Sequence, residues 1–217
     1  MCGAAPGVRY RATVGTREAK KLDKQRRIEA AGIEEFLRHG FAAATVDGIV
    51  ARAGVARGTY YLYYPDKEAL LAALLARFGE PLVSAVGEAC RALEQGGEPF
   101  PTYAALGAAL ADVIRQEPDG ARLLLQESHA RGAGGALARR VTATLHGLTR
   151  QILDDAVARG LLRPHDSHAV GLAIAGGIER LAQAWLDPAP GDAPLQPEAV
   201  TVELIGLFTW GLAAGPG

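Results

Sequence analysis

The chain has 217 residues, 49% of them hydrophobic, enough for one medium domain or two small ones around a sizeable core, which excludes a wholly disordered protein. Its net charge of −1 points to neither nucleic acid nor membrane, but the charge is divided: residues 1–70 carry 12 Lys/Arg against 8 Asp/Glu, and the rest 11 against 16. Cys2 and Cys90 form neither a metal-ligand spacing nor a disulfide framework, and no uninterrupted apolar run reaches the roughly 18 residues that span a bilayer, so a cytoplasmic protein with no membrane partner is expected.

Residues 1–20 mix Gly, Ala, Pro, Arg and Thr without periodicity and read as a flexible basic arm. From Lys21 a first helix is expected, with Ile28, Ala31, Gly32 and Phe36 at three- and four-residue steps and Gly40 as its stop. Thr45 is a good N-cap for a second helix, VDGIVARA, which Gly54 ends. Val55 then supplies one apolar anchor before ARGTYYLY, a further short helix closed by Pro65. Two short helices around a glycine turn spell helix-turn-helix. Asp66 caps KEALLAALLARF, whose apolar face is Leu70, Leu71, Leu74, Leu75 and Phe78. From about Pro81 the chain is Ala/Leu-rich and punctuated at GGEPFP, EPDG, RGAGG, RGLLRPHD and DPAPGDAPLQPE, which predicts about six more helices. The fold class expected is all-α, with residues 21–66 as a helix-turn-helix domain and 67–217 as a second helical domain.

Tyr60, Tyr61, Tyr63 and Tyr64 fall within five positions, although the chain has only six tyrosines. Buried phenols each need a hydrogen-bond partner, so some of these hydroxyls are expected to face something polar outside the protein. The run FLRHGFAAATVDGIVARAGVARGTYYLYYPDKEALL resembles the DNA-binding domain of the TetR family of bacterial transcriptional regulators. Phe36, Gly40, Phe41, Thr45, Ile49, Ala53, Gly54, Val55, Gly58, Thr59, Tyr61, Tyr63, Lys67 and Glu68 match its pattern in register.

The resemblance implies a three-helix DNA-binding domain whose third helix, roughly Ala56 to Leu62, enters the major groove. Tyr61 and Tyr63 match positions that bond phosphates. Tyr60 is expected on the exposed helix surface, near base edges, while Tyr64 stands where the family has Phe and is expected in the core. Thr45 can offer its hydroxyl to a phosphate, Lys67 adds a cation at a helix N-terminus, and Gly58 lets backbone approach DNA. Arg57 and Thr59 face outward if Val55 and Leu62 face in, and Arg57 is the first choice for reading guanine. Three positions depart from the family pattern. Ala56 replaces a Ser that could cap the recognition helix, Gly48 lies inside the second helix, and Glu35 takes a position that is often apolar.

The resemblance also implies that the second domain binds a small-molecule effector and forms a homodimer. Segments 167–186 and 197–213 match the family's dimerisation helices in position, with Leu172, Gly176, Ile178, Leu181, Leu204, Leu207 and Phe208 as interface residues; an intrachain core is the alternative. Tyr103, Gln126, His129, His146 and Trp185 are candidate pocket groups. His165, Asp166 and His168 resemble a metal cluster only superficially, so no metal is expected.

The function expected is a sequence-specific DNA-binding regulator, a repressor released from a pseudo-palindromic double-stranded operator by an effector. An all-helical enzyme and a ligand-independent DNA-binding protein stay open as alternatives. No G-x-x-x-x-G-K-S/T loop, G-x-S-x-G elbow or H-E-x-x-H helix is present, so no catalytic residue and no cofactor is assigned.

Overall fold

Short-range bonds set most helix boundaries. In a computed structural model, which describes residues 11–193, 195, 196 and 203, with side chains from Arg17 onward, eight helices and no β-strand occur among the described residues. The chain divides into two compact units, Met1–Leu70 and Leu71–Gly217.

The first unit holds α1 (Arg11–Ala43), α2 (Val46–Ala53), α3 (Arg57–Tyr61) and the first turn of α4 (Lys67–Glu94). Helix begins at Arg11, so residues 11–20 of the expected flexible arm are helical, and residues 1–10 lie outside the described residues. Gly40 breaks α1 with φ +72°, a value that favours glycine, and Ala44 N–H then donates to its carbonyl at 3.1 Å. The face at Ile28, Ala31, Gly32 and Phe36 is buried as its periodicity predicts. At Gly32 the approach of Leu70 is so close that a Cβ would lie 2.6 Å from Leu70 Cδ2.

Thr45 caps α2, its Oγ1 accepting from Gly48 N–H at 3.0 Å, and Gly54 ends it in the left-handed conformation at φ +62°, ψ +40°. Asp66 Oδ1 accepts from Ala69 N–H at 2.7 Å and so caps α4.

In the second unit α4 continues, followed by α5 (Pro99–Gln116), α6 (Pro118–Ser128), α7 (Ala133–Ala158) and α8 (Ser167–Leu186). The breaks fall at the Gly/Pro clusters, with one exception. Pro81 stands inside α4 and does not end it. Phe78 and Leu82 on either side of it are buried, and the packing of this stretch offsets the roughly 3 kcal/mol that an interior proline costs. By length and composition α4 is apolar enough to cross a bilayer, which a count of uninterrupted apolar residues misses; here Leu74, Leu75, Phe78, Leu82 and Val86 are buried core. One core layer joins Val86, Cys90 and Leu93 of α4 to Ile152 of α7, with Tyr103, Leu106 and Leu110 of α5 packed against it.

Candidate nucleic-acid interface

The α2–turn–α3 unit is fastened to α1 by Arg27, whose Nη2 donates to Ala53 O at 2.6 Å and Gly54 O at 2.9 Å. On α3, Ala56 is an exposed N-cap with no side-chain bond, as expected of an alanine there. Arg57 and Gly58 are exposed, Thr59 is half-buried, and a Cβ at Gly58 would meet nothing within 4 Å, so backbone there is open to approach.

The four tyrosines divide differently from the sequence reading. Tyr60 is not on the exposed surface: it is 0% exposed, and its hydroxyl donates to Asp66 O at 2.9 Å. Burial pushes its phenol well above the ordinary tyrosine range, with the nearby Asp66 carboxylate adding to the effect. Tyr64 is buried as expected, and its hydroxyl donates to Glu29 Oε1 at 2.6 Å. Tyr60 and Tyr64 share one inward face four residues apart, a helical spacing visible in the sequence. Leu62, expected inward, is consequently turned out and 81% exposed. Tyr63 donates its hydroxyl proton to Lys21 O at 2.9 Å, so that proton is committed to the chain rather than offered to a phosphate. Tyr61 is 46% exposed, its ring edge-on to Tyr60 at 5.4 Å.

Lys67 also differs from expectation. Its Nζ donates to Phe41 O, Ala42 O and Ala44 O at 2.8, 3.0 and 2.9 Å and sits 4.7 Å from the Phe41 ring centroid. All three ammonium protons close off the end of α1, and none is left to donate to DNA.

Thr45, Asp47, Arg57 and Tyr61 all remain exposed, and the last three are in contact. Asp47, which sequence reasoning passed over, accepts from Arg57 Nη1 at 2.6 Å, and Arg57 Nη2 lies 3.4 Å from Tyr61 Oη. The Tyr61 hydroxyl first, and the Asp47 carboxylate second, hold the guanidinium more firmly in its charged form. Thr45, Arg57 and Tyr61 supply hydroxyls and a guanidinium, the groups that phosphate oxygens and guanine edges accept from.

A family model for the bacterial regulatory proteins of the tetR family matches residues 28–74, the stretch that builds this surface. Over residues 28–74 the chain carries the DNA-binding domain of the TetR family of bacterial transcriptional regulators. The HTH-type transcriptional activator FasR of Mycolicibacterium smegmatis is 26% identical over 200 residues, covering 91% of this chain and 87% of FasR. Thermus thermophilus FadR, a TetR-family transcriptional repressor solved in complex with lauroyl-CoA, is 29% identical with a TM-score of 0.59, covering 88% of this chain and 98% of that one. The fold is shared with the transcriptional regulator FadR of Bacillus subtilis, solved with stearoyl-CoA, at 18% identity and a TM-score of 0.66, covering 87% of this chain and 99% of that one.

The candidate effector residues of the second unit are spread over four helices. Tyr103 belongs to the apolar layer of α4, α5 and α7, where burial raises its phenol pKa against the opposing charge of Arg159. His146 is half-buried on α7, whereas Gln126 and His129 are exposed at the end of α6. His129 Nδ1 lies 3.0 Å from both Ser128 Oγ and Leu125 O, and its Nε2 is 3.8 Å from Glu179 on α8. Trp185 is half-buried on α8, with Arg115 5.9 Å from its ring. Asp166 caps α8 by accepting from His168 and Ala169 N–H, and the latter bond foremost holds its carboxyl below the usual range. Of the expected interface residues, Leu172, Gly176 and Ile178 are exposed on α8 and Leu181 is half-buried, while Leu204, Leu207 and Phe208 lie outside the described residues.

Proposed function

We propose that this protein is a homodimeric TetR-family repressor that holds a pseudo-palindromic operator through two α2–α3 units and releases it when an acyl-CoA thioester binds its second unit. The observation that carries the reading is the exposed pair of Arg57 and Tyr61 on the helix-turn-helix, with Thr45 exposed at the start of α2. Thr45 and Tyr61 donate to phosphates, Arg57 reads a guanine, and Gly58 admits close backbone approach. Ala56 and Thr59 flank that contact, and Lys67 supports it from behind by holding the end of α1.

The exposed apolar side chains of α8, Leu172 at 46% and Ile178 at 37%, support the dimer, since pairing across a two-fold axis would remove them from water. Two recognition helices about 34–36 Å apart then meet successive turns of the groove. An effector that prefers a different spacing lowers DNA affinity, and DNA lowers effector affinity by the same factor. The acyl-CoA class rests on the likeness to Thermus thermophilus FadR, solved with lauroyl-CoA. Binding alone accounts for this activity, in the cytoplasm, with no catalytic step. Activation instead of repression is the second reading, favoured by the likeness to FasR.

Selection of random duplex DNA on the purified protein at about 150 mM salt, where nonspecific phosphate binding is weakened, is expected to recover an inverted repeat. Lauroyl-CoA, and not free coenzyme A, is expected to release that duplex. Folded protein that enriches no motif overturns the reading. A reporter driven from the recovered motif distinguishes the two signs: its output rises without the regulator if the protein represses and falls if it activates.

A further inference from the structure

Asp47 is an acidic side chain on a surface that receives a polyanion. It stands two residues after the α2 cap, with 69% of its side chain exposed, and its partner Arg57 is 57% exposed. An ion pair between groups so exposed contributes little to folding, so stability does not account for it. Its effect on Arg57 is geometric. The guanidinium is bonded to Asp47 from α2 on one side and faces Tyr61 on the other, where Nη2 is 3.4 Å from the hydroxyl and Cζ is 5.9 Å from the ring centroid. Tyr61 in turn rests edge-on against Tyr60, which is fully buried and bonded to Asp66 O. A side chain that would otherwise sample many rotamers is thus held between two helices, with two of the five guanidinium donors engaged and the others free for DNA.

We propose that Asp47 is a positioning residue for sequence discrimination: it fixes the direction in which Arg57 presents its free donors, and it cancels the charge that would otherwise fasten Arg57 to any phosphate. The inference rests on the DNA-binding reading above. Preorganisation favours the one base edge that matches the held orientation, and the neutral pair gains little from an arbitrary duplex.

The test compares full-length wild type, Asp47→Ala and Asp47→Asn on the selected inverted repeat and on a random duplex of equal length, across a salt titration. Asp47→Ala is expected to bind the random duplex about three- to tenfold more tightly, with a salt slope steeper by about one unit, because a freed Arg57 pairs with a phosphate. Its preference for the motif over the random duplex is expected to fall about tenfold. Asp47→Asn keeps an acceptor for Arg57 and is expected to lose less of that preference. A merely structural role would lower both affinities together, and that outcome, or an unchanged preference ratio, overturns the proposal. A wild-type protein that enriches no motif overturns the proposed function along with it, whereas a motif bound with the same preference by Asp47→Ala overturns only the role of Asp47.

Discussion

The carboxylate of Glu35 on α1 fills the space that a side chain at Gly48 on α2 would need: a Cβ built at Gly48 lies 2.7 Å from Glu35 Cδ and closer still to Oε1. Glu35 is only 6% exposed, with Arg52 Nη2 at 3.4 Å and His39 Nε2 at 3.9 Å from its Oε2. Two of the chain's departures from its family's pattern, an acid where an apolar residue is usual and a glycine inside a helix, are therefore one complementary feature.

Gly48→Ala is accordingly expected to destabilise the first unit, although alanine gains about 1 kcal/mol of helix propensity over glycine. Displacing a buried carboxylate held by Arg52 costs more, leaving a net loss of about 1–2 kcal/mol and a thermal midpoint lower by several degrees. In a Glu35→Ala background the same change is expected to be neutral or stabilising. An equal loss in both backgrounds would show that the two positions are not coupled.

Lys67→Met keeps the aliphatic stem but removes the donors to Phe41, Ala42 and Ala44 carbonyls. A loss of about 1.5–3 kcal/mol is expected in urea unfolding, since bonds from a charged donor are among the stronger ones. The salt slope of DNA binding is expected to stay unchanged. A slope reduced by about one unit, with stability intact, would mean that the ammonium leaves these carbonyls for a phosphate.

The raised phenol pKa of Tyr60 carries a sign that can be worked out. The folded state holds that proton more tightly than the unfolded chain, whose tyrosines titrate near pH 10, so the associated stability is fully present below about pH 10 and is lost as pH rises further. Tyr60→Phe is expected to cost about 1 kcal/mol at pH 7, from the lost bond to Asp66 O, and to flatten the alkaline decline. Its base preference in a DNA selection is expected to match wild type, because the ring is buried. A changed preference would put Tyr60 back on the DNA surface.

Ile178→Glu places a charge in the exposed apolar stretch of α8. Sedimentation is expected to shift from dimer toward monomer at micromolar concentration, with an unaltered helical circular dichroism spectrum. Affinity for the inverted repeat is expected to fall by more than tenfold, while affinity for a single half-site stays within about twofold. A dimer that survives this change would remove α8 from the interface.

Apart from the start of α1, which lies at Arg11 and not at Lys21, the helix boundaries of the first unit were legible because each is closed within a few residues. Thr45 bonds to Gly48 and Asp66 to Ala69, while Gly40 and Gly54 take positive φ values. Pro81 was misleading for the opposite reason: its local cost is overridden by apolar packing on both sides. Arg57 and Tyr61 are exposed as expected, Tyr61 on the strength of the resemblance and Arg57 even though Leu62, expected inward, is turned out. Asp47 became visible only when α2 and α3 brought it to Arg57.

Sequence by itself determined the all-helical class and the helix-turn-helix, since periodicity, caps and glycine stops are properties of neighbouring residues, while the family came from the resemblance of residues 36–68 to its pattern. Tertiary structure decided which way each polar group turns. Tyr60 rather than Leu62 lies inside, Tyr63 reaches Lys21, and Lys67 reaches back to Phe41 on α1. A five-residue helix has too few positions to define its own inward face, and a hydroxyl or ammonium bonds whichever acceptor the fold delivers, so these choices are settled by partners distant in the chain.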